Sequence, residues 1–464
     1  MDWVRKYGKV FGLFFGNEPV LVISDPQLIK QICIKDWHVF INRSQSNVTT
    51  TEAHPILQYH LDSAAGREWQ RLRGIVTQIF TGSKIKSMIP KIHDCTMQMC
   101  RTLDPLAATG PREGIGGTGG GQVVDMKEFY VNYVMDSTAT TVYAVPLDSN
   151  RQPKHPFVQN TRQLVSPNWY RSLLFLLLPQ SLLNLFGLKF LIPDSVNEYF
   201  FDVTRRLIHD RNNDSNRYND FVKFLLKARI DDNTIDEYNI YEKGMKKFLN
   251  DDEIVGTGWS LIGAGYEARV LTLSFGTYEL AMNPELQERL YGEVMTAFFD
   301  DDDSASDGHR LDYEKMIALP LLEAFINETL RLHTSAIREG RMAVQDYWLG
   351  DTGLLVKKGE QVEFPFYAIH HCPDYYPNPE AFLPERFLPE NRHKLVPYTF
   401  MPFGMGARQC VAMRFAYLEF KYVFCQLIRR YRFARSPQTD IPPRITPNTA
   451  VYSPQRILVN IVSR

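Results

Sequence analysis

The sequence predicts a mainly α-helical protein with a small β-sheet lobe. One segment, Asp251–Met282, reads as a single long helix, because acidic residues occupy the first turn that it would have. After Cys410, apolar residues recur at helical spacing, at Phe415, Leu418, Tyr422 and Cys425. The strand-like segments are short, and they are residues 10–15, 20–23, 341–344 and 362–367. These observations favour a helical body that carries one small sheet.

Length and composition limit the classes of function. The chain has 464 residues, of which 44% are hydrophobic and 12% aromatic, as in a compact globular protein. The formal net charge is −1, so the overall charge does not indicate a nucleic-acid partner. The six cysteines form no close metal-type cluster and are too few for a disulfide scaffold, which indicates a reducing compartment. No signal peptide or transmembrane segment opens the sequence.

The other segments follow in chain order. Residues 25–34 are expected to form a short helix, and residues 40–52 a polar loop. Residues 66–80 read as an amphipathic helix, and residues 321–333 as another helix. The glycine-rich stretch 110–121 is predicted to be a flexible insertion between two helices, because its spacing matches no phosphate-binding fingerprint.

Residues 172–188 form the longest uncharged run of the chain. Pro179, Gln180 and Asn184 interrupt this run, and it is shorter than the ~20 apolar residues that cross a bilayer. Two interpretations stay open, a pair of core helices or a patch that dips into one face of a membrane. The four aspartates at 300–303 are expected to lie in a solvated surface loop.

The loop that ends at Cys410 is the strongest candidate for a functional site. Gly404 and Gly406 permit backbone angles that other residues resist, so the chain can turn tightly before the next helix. At the start of that helix, free N–H groups and the helix dipole would stabilise a thiolate. Phe403 is placed to shield the sulfur, and Arg408 to meet an anionic group. The alternative is an ordinary buried cysteine without a chemical role.

The ordered set in this loop resembles the haem-thiolate loop of the cytochromes P450. That loop has Phe, two residues, Gly, three residues, Cys, one residue and then Gly or Ala; here the matching residues are Phe403, Gly406, Cys410 and Ala412, with Arg408 between them. The resemblance implies that Cys410 is the axial iron ligand of haem b. Ala412 replaces the commoner glycine, and it keeps the small side chain that the site requires.

Further motifs of the same family imply which residues bind the haem propionates. Trp69 and Arg73 lie four residues apart on one helix face and match a Trp-x-x-x-Arg clamp, whose N–H groups donate to a carboxylate. Arg43, Arg341 and Arg408 match other propionate-binding positions. Without the resemblance, Trp69 and Arg73 would be taken for packing residues and Arg43 for a solvated loop arginine.

A second set matches the Glu–Arg–Arg triad of the family. Glu328 and Arg331 are three residues apart on one predicted helix, and Arg386 lies in a PERF segment. The resemblance implies that these three side chains lock the loop on the haem side in place. A Glu and an Arg at this spacing are otherwise most often a surface pair that contributes little.

Residues 263–268, GAGYEA, resemble the oxygen-binding groove of the family, whose pattern is Ala/Gly-Gly-x-Asp/Glu-Thr-Thr. The interior glycines of this helix indicate that something approaches its backbone closely. Glu267 keeps the acidic residue of the pattern. Ala268 stands where the first threonine helps to deliver protons, and Arg269 stands at the second. Glu267 and Ala268 are therefore the candidate catalytic positions.

The resemblance extends in motif order from Tyr7 to the C-terminus. Within the family, the sequence is most similar to the branch that holds the vertebrate family 3 drug-metabolising enzymes and thromboxane synthase. The resemblance implies one haem domain over residues 1–464, although ~100–200 residues per domain would suggest three. Compared with microsomal members, the chain looks N-terminally shortened and without the membrane anchor.

The reaction that the family implies is insertion of one atom of dioxygen into a lipophilic molecule. The expected partners are NADPH–cytochrome reductase, cytochrome b5 and the cytosolic face of the endoplasmic reticulum membrane, with no nucleic acid. Ala268 keeps a second reaction open, the rearrangement of a lipid endoperoxide without a reductase, as in thromboxane synthase. A third interpretation is an inactive remnant that binds haem or a sterol.

Overall fold

The structure is a computed structural model, and it describes most of the chain. The described residues are 2–15, 18–44, 54–108, 122–165, 174, 178, 182, 192–211, 219–228, 241–242, 245–246, 248–298, 310–446 and 451–464. The predicted glycine-rich loop at 110–121, the aspartates at 300–303 and nearly all of residues 172–188 lie outside them, as does the second half of the loop at 40–52.

Helices make up most of the described structure, as the sequence predicts. The α-helices are Asp2–Tyr7, Pro26–Lys30, Gly66–Thr77, Gly82–Lys86, Ile89–Ala108, Met126–Tyr143, Pro156–Val165, Asp194–Arg211, Phe221–Leu226, Asp251–Met282, Pro284–Phe298, Tyr313–Ile317, Pro320–Leu332, Phe366–His370 and Met413–Arg430. A π-helical turn spans Gln31–Lys35, and the 3₁₀ turns are Pro55–Tyr59, Gln78–Phe80, Gly350–Thr352, Pro384–Phe387, Pro389–Lys394 and Gly406–Arg408. No described helix is both long and apolar enough to cross a bilayer.

The main sheet has four strands, and each overlaps one of the four segments that the sequence predicts. The segments predicted at 341–344 and 362–367 are strand only as far as Met342 and Phe364, because the helix Phe366–His370 begins within the second. Its order is Val10–Phe15, Glu18–Ile23, Gln361–Phe364 and Glu339–Met342. The first and last pairs are antiparallel and the middle pair is parallel, with Arg341 opposite Val362. A second sheet of three strands has the order Tyr431–Ala434, Leu458–Ser463 and Gln122–Asp125. Short two-stranded pairs account for the rest, namely Tyr241–Glu242 with Met245–Lys246, Tyr347–Trp348 with Leu355–Val356, and Ile445–Thr446 with Ser453–Pro454.

The helix Asp251–Met282, called the central helix below, has the bounds that the sequence predicts. Asn250 caps its first turn by accepting from the Glu253 N–H, and the Glu253 carboxylate accepts from the Asn250 N–H, which completes a capping box. Most of its residues are buried, because several other helices pack against it. The predicted close approach occurs at Gly256, where an added Cβ would lie 2.7 Å from the carbonyl oxygen of Ile56.

The helix Met413–Arg430, called the post-cysteine helix below, packs directly against the central helix. A Cβ at Gly276 would lie 2.4 Å from the Phe424 ring, so only glycine allows the two helices to approach this closely. Both helices belong to one large apolar core. A smaller apolar core lies under the four-stranded sheet.

The remaining predicted helices are confirmed with small shifts at their ends. Residues 25–34 form the α-helix Pro26–Lys30, capped by the Asp25 carboxylate, and they continue as the π-helical turn. Residues 66–80 form Gly66–Thr77 followed by a 3₁₀ turn. The helix predicted at 321–333 begins at Pro320, which needs no N–H partner in the first turn.

Candidate active site

Two glycines give the loop before Cys410 its shape. Gly404 and Gly406 have φ values of +74° and +73°, in the left-handed region that other residues rarely adopt. At Gly406 there is also no room for a side chain, because a Cβ would lie 1.8 Å from the carbonyl oxygen of Cys33. The π-helical turn Gln31–Lys35 therefore packs directly against the loop at Gly406. Either glycine replaced by a larger residue would displace Cys410.

Cys410 lies three residues before the post-cysteine helix, which corrects the prediction that it occupies the helix start. Its N–H donates to the Phe403 carbonyl oxygen at 2.8 Å, and its side chain is exposed. Desolvation by the surrounding protein raises the pKa of the thiol, while the backbone N–H of Ala412 and the charge of Arg73 lower it. The net shift is upward. The Ala412 N–H and the Arg73 charge therefore offset only part of the desolvation of the thiol.

Two acidic side chains hold the arginines beside this loop. Arg43 forms ion pairs with Asp62 and with Glu339, the latter at 2.9 Å. Glu339 also pairs with Arg341 at 3.0 Å. Arg341 is only 2% exposed, yet its Nη2 has no hydrogen-bond partner in the described part of the chain. A buried guanidinium nitrogen of this kind requires an acceptor.

Trp69, Arg73 and Arg408 complete this group. The Arg408 guanidinium stacks on the Trp69 ring at 3.9 Å, and its three nitrogens donate to the carbonyl oxygens of Ile41, Leu61 and Ala64. Burial, together with the charges of Arg43 and Arg341, lowers the pKa of Arg408 to about 9.

Arg408 therefore braces the chain on both sides of Asp62, a role that its position in the sequence did not suggest. Three of its five N–H groups are used, so two can still donate to a ligand. The Arg73 guanidinium, half-buried, donates to no acceptor among the described residues.

The charges of this group fit a ligand with two carboxylates. Four arginines (Arg43, Arg73, Arg341 and Arg408) face two acidic side chains (Asp62 and Glu339), which leaves two positive charges uncompensated in a partly buried site. A buried charge is unfavourable unless it is paired. The two propionates of haem would pair these charges, and the partnerless Nη2 of Arg341 supports the same conclusion.

The structure brings Glu328, Arg331 and Arg386 together. Arg331 donates to both oxygens of Glu328 at 2.7 Å, and both side chains are fully buried. Arg386 reaches Glu328 at 3.4 Å. Arg331 also donates to the His370 carbonyl oxygen at 2.8 Å. The three residues therefore connect the helix Pro320–Leu332 to the segment that leads toward the Cys410 loop.

Two alanines in the middle of the central helix are at least partly accessible to solvent. Ala264 is exposed although it lies in the middle of this helix, and Ala268 is half-buried one turn later on the same face. Glu267 is also half-buried; burial raises the pKa of its carboxyl, and the charge of Lys127 lowers it in part. Lys127 is held by the Pro454 carbonyl oxygen at 2.6 Å.

Several residues of the site were not predicted from the sequence. Asp62 and Lys127 carry no local signal, because they act on partners far away along the chain. Glu339 could have been found, since it and Arg341 are two residues apart in a strand and so share one face. Arg269, noted only as a departure from a motif, forms a buried ion pair with Glu419.

The chain is similar to known proteins over nearly its whole length. The family model described as Cytochrome P450 matches residues 1–461. Cytochrome P450 3A2 of Rattus norvegicus is 31% identical over 468 residues, covering 99% of this chain and 85% of the relative. Cytochrome P450 3A41 of Mus musculus is 30% identical, covering 100% and 86%. Cytochrome P450 9e2 of Blattella germanica is 31% identical, covering 95% and 82%.

The fold and the family model together define a haem enzyme. The chain belongs to the cytochrome P450 family. Its fold class is confirmed by the family and by the helical body with small sheets, and its activity class is that of a monooxygenase, an oxidoreductase that uses haem iron.

Proposed function

We propose that this protein binds haem b through Cys410 and inserts one oxygen atom into a lipophilic small molecule. The observation that carries the proposal is the accessible Cys410 loop next to arginines with two uncompensated charges. In this proposal, Trp69, Arg73, Arg341 and Arg408 donate to the propionates, Arg43 positions Arg341 through Glu339, and Phe403 shields the sulfur. Residues 1–464 act as one haem domain.

Haem iron, when bound, supplies dioxygen activation and, as a cation, favours the thiolate of Cys410. The protein has to bring protons to the site. Glu267 fits this task, because it is a half-buried carboxyl next to Ala268 and carboxyl groups can act as general acids. Burial raises the pKa of this carboxyl, and the charge of Lys127 limits the rise. Ala268 has no hydroxyl, so water next to Glu267 has to carry the proton over the last step.

The proposed electron source is NADPH through NADPH–cytochrome reductase, with cytochrome b5 as a second donor. The proposed location is the cytosolic face of the endoplasmic reticulum membrane. Membership of the family and the relatives named 3A and 9e2 support this assignment. The apolar run at 172–188, a proposed contact with the membrane, lies almost entirely outside the described residues.

Ala268 also supports a second candidate, an isomerase that rearranges a lipid endoperoxide. Such a reaction needs neither protons from the central helix nor a reductase. Monooxygenation is preferred because the chain belongs to the cytochrome P450 family and its relatives include P450 3A and 9e2 enzymes. A water held by the half-buried Glu267 would replace the missing hydroxyl. An inactive remnant would bind haem and perform neither reaction.

Two assays on the haem-loaded protein test the proposal. One supplies NADPH, the reductase and a set of lipophilic compounds; the other supplies a lipid endoperoxide alone. We expect product only in the first. Ala268→Thr should raise the product formed per NADPH, and Glu267→Gln should slow turnover by about 10²–10⁴-fold, the range for general acid–base help. Endoperoxide conversion without reductase, with both variants unaffected, would favour the isomerase.

A further inference from the structure

The central helix and the post-cysteine helix share a buried ion pair next to Ala268. Arg269 is 6% exposed and Glu419 is fully buried. Nη1 of Arg269 donates to both carboxylate oxygens of Glu419, at 3.0 and 2.9 Å. Neither side chain has an unpartnered polar atom in the described structure. A charged pair so deeply buried is stable only when its hydrogen bonds are complete.

A third helix supplies the remaining partners. Thr138, on Met126–Tyr143, accepts a hydrogen bond from Nη2 of Arg269. On the same helix, Ser137 donates to Glu419 at 2.6 Å and Tyr133 donates at 3.2 Å. The pair therefore joins three helices, and it requires that all three keep their relative positions.

Arg269 also binds the backbone of its own helix. Its Nε donates to the carbonyl oxygen of Gly265 at 2.6 Å, and its guanidinium lies 3.8 Å from where a Cβ of Gly265 would be. Gly265 begins the short segment that ends at Ala268. Because Nη1 is fixed by Glu419, the hydrogen bond to Gly265 ties this segment to the post-cysteine helix. That helix follows Cys410 by three residues.

We propose that Arg269 and Glu419 are a positioning pair, which holds residues 265–268 in a fixed place relative to the Cys410 loop. In a site without a hydroxyl at position 268, this pair keeps the backbone next to Glu267 in register for proton transfer. The functional part of the inference rests on the proposed function, whereas the structural part does not. Neither residue contacts the reacting atoms; both act through the Gly265 carbonyl.

The test compares single and double variants. Arg269→Leu or Glu419→Leu leaves an unpaired buried charge, so each should lower the midpoint of thermal unfolding. The double variant Arg269→Leu/Glu419→Leu removes both charges and should recover much of that midpoint. It still lacks the hydrogen bond to Gly265, so amide hydrogen exchange in residues 265–272 should stay faster than in wild type, by about tenfold. In the double variant, the amount of product formed per NADPH should also be lower than in wild type.

A matched control is the buried pair Arg211–Asp220, 2.8 Å apart and far from this segment in the chain. Arg211→Leu/Asp220→Asn keeps a helix cap and should leave the exchange of residues 265–272 unchanged. The proposal is overturned if the Arg269→Leu/Glu419→Leu variant recovers both thermal stability and slow exchange. Hydrogen exchange requires no turnover, so failure of the reductase assay alone would contradict the proposed function and not the positioning pair.

Discussion

At Cys410, the arginine charges and the desolvation by the surrounding protein act on the pKa of the thiol in opposite directions. Desolvation raises the pKa of the thiol, whereas the Ala412 N–H and the charges of Arg73 and Arg43 lower it. The net shift of the pKa is upward. A bound metal ion would act in the opposite direction, because a cation favours the thiolate.

The role of Cys410 can be tested by a change of one atom. Cys410→Ser replaces sulfur by oxygen, so the haem protein should lose the thiolate-type Soret band of its reduced carbon monoxide complex. Cys372→Ser, in a half-buried position outside the loop, is the control and should keep the band. A Cys410→Ser protein that retains the band would remove the central claim of the proposed function.

The arginines should differ from a surface lysine in their effect on haem retention. Arg73→Leu and Arg341→Leu each remove a donor to a carboxylate, worth about 1.5–3 kcal/mol per charged hydrogen bond. Haem should therefore transfer to a scavenging apoprotein about 10–100-fold more readily. Lys86→Leu, at an exposed ion pair with Glu314, should have no such effect. Equal transfer from all three variants would contradict the propionate assignment.

At the scale of elements, the site depends on close contacts between helices and loops that leave no room for a larger side chain. Gly276 allows the Phe424 ring to touch the central helix, and Gly406 allows the Cys410 loop to touch the π-helical turn. Glu328 receives hydrogen bonds from Arg331, from Arg386 and from the Leu383 N–H at 2.8 Å. The helix Pro320–Leu332 is thus fastened to the chain that precedes the loop.

Two ion pairs of equal length separate the effect of burial from that of distance. Glu328–Arg331 is fully buried at 2.7 Å, and Glu385–Arg289 is about half exposed at 2.7 Å. Glu328→Gln should lower the free energy of unfolding by about 3–5 kcal/mol, because Arg331 stays buried without a counter-charge. Glu385→Gln should cost about 0–1 kcal/mol, because water screens the exposed pair. Denaturant unfolding curves measure the free energy of unfolding of both variants. Equal decreases would show that the buried pair of the triad contributes no more to stability than the exposed pair.

At the scale of the whole molecule, one buried carboxyl should make stability depend on pH. Asp136 is 3% exposed and accepts hydrogen bonds from Ser149 and Gln98, and burial raises its pKa to about 7. The unfolded chain has a value of about 4, so between those pH values the folded protein binds more protons than the unfolded one. The free energy of unfolding should therefore fall as pH rises from about 4 to 7.

Asp136→Asn removes this titration and should flatten that part of the curve, by up to a few kcal/mol at about 1.4 kcal/mol per pKa unit. The exposed Asp202→Asn serves as the control. Unfolding measured from pH 5 to 8 checks the slope, and an unchanged slope in Asp136→Asn would show that another group is responsible.

Local patterns in the sequence determined the helices, the strands and the motif residues. Helical periodicity and capping residues act over a few positions, so the bounds of the central helix were predictable. The motif around Cys410 was predictable for the same reason, since the two glycines and the cysteine lie within seven consecutive residues. The prediction for Arg408 was incomplete, because its partners are backbone carbonyls that any sequence provides.

Only the tertiary structure decided which charges meet. Glu339 joins Arg43 and Arg341 across the sheet lobe, and Arg269 meets Glu419 although 150 positions separate them. Such pairs depend on how far each helix is rotated and shifted against its neighbours. That placement follows from the packing of the whole core, in contacts such as Gly276 on Phe424, and not from the period of any single segment.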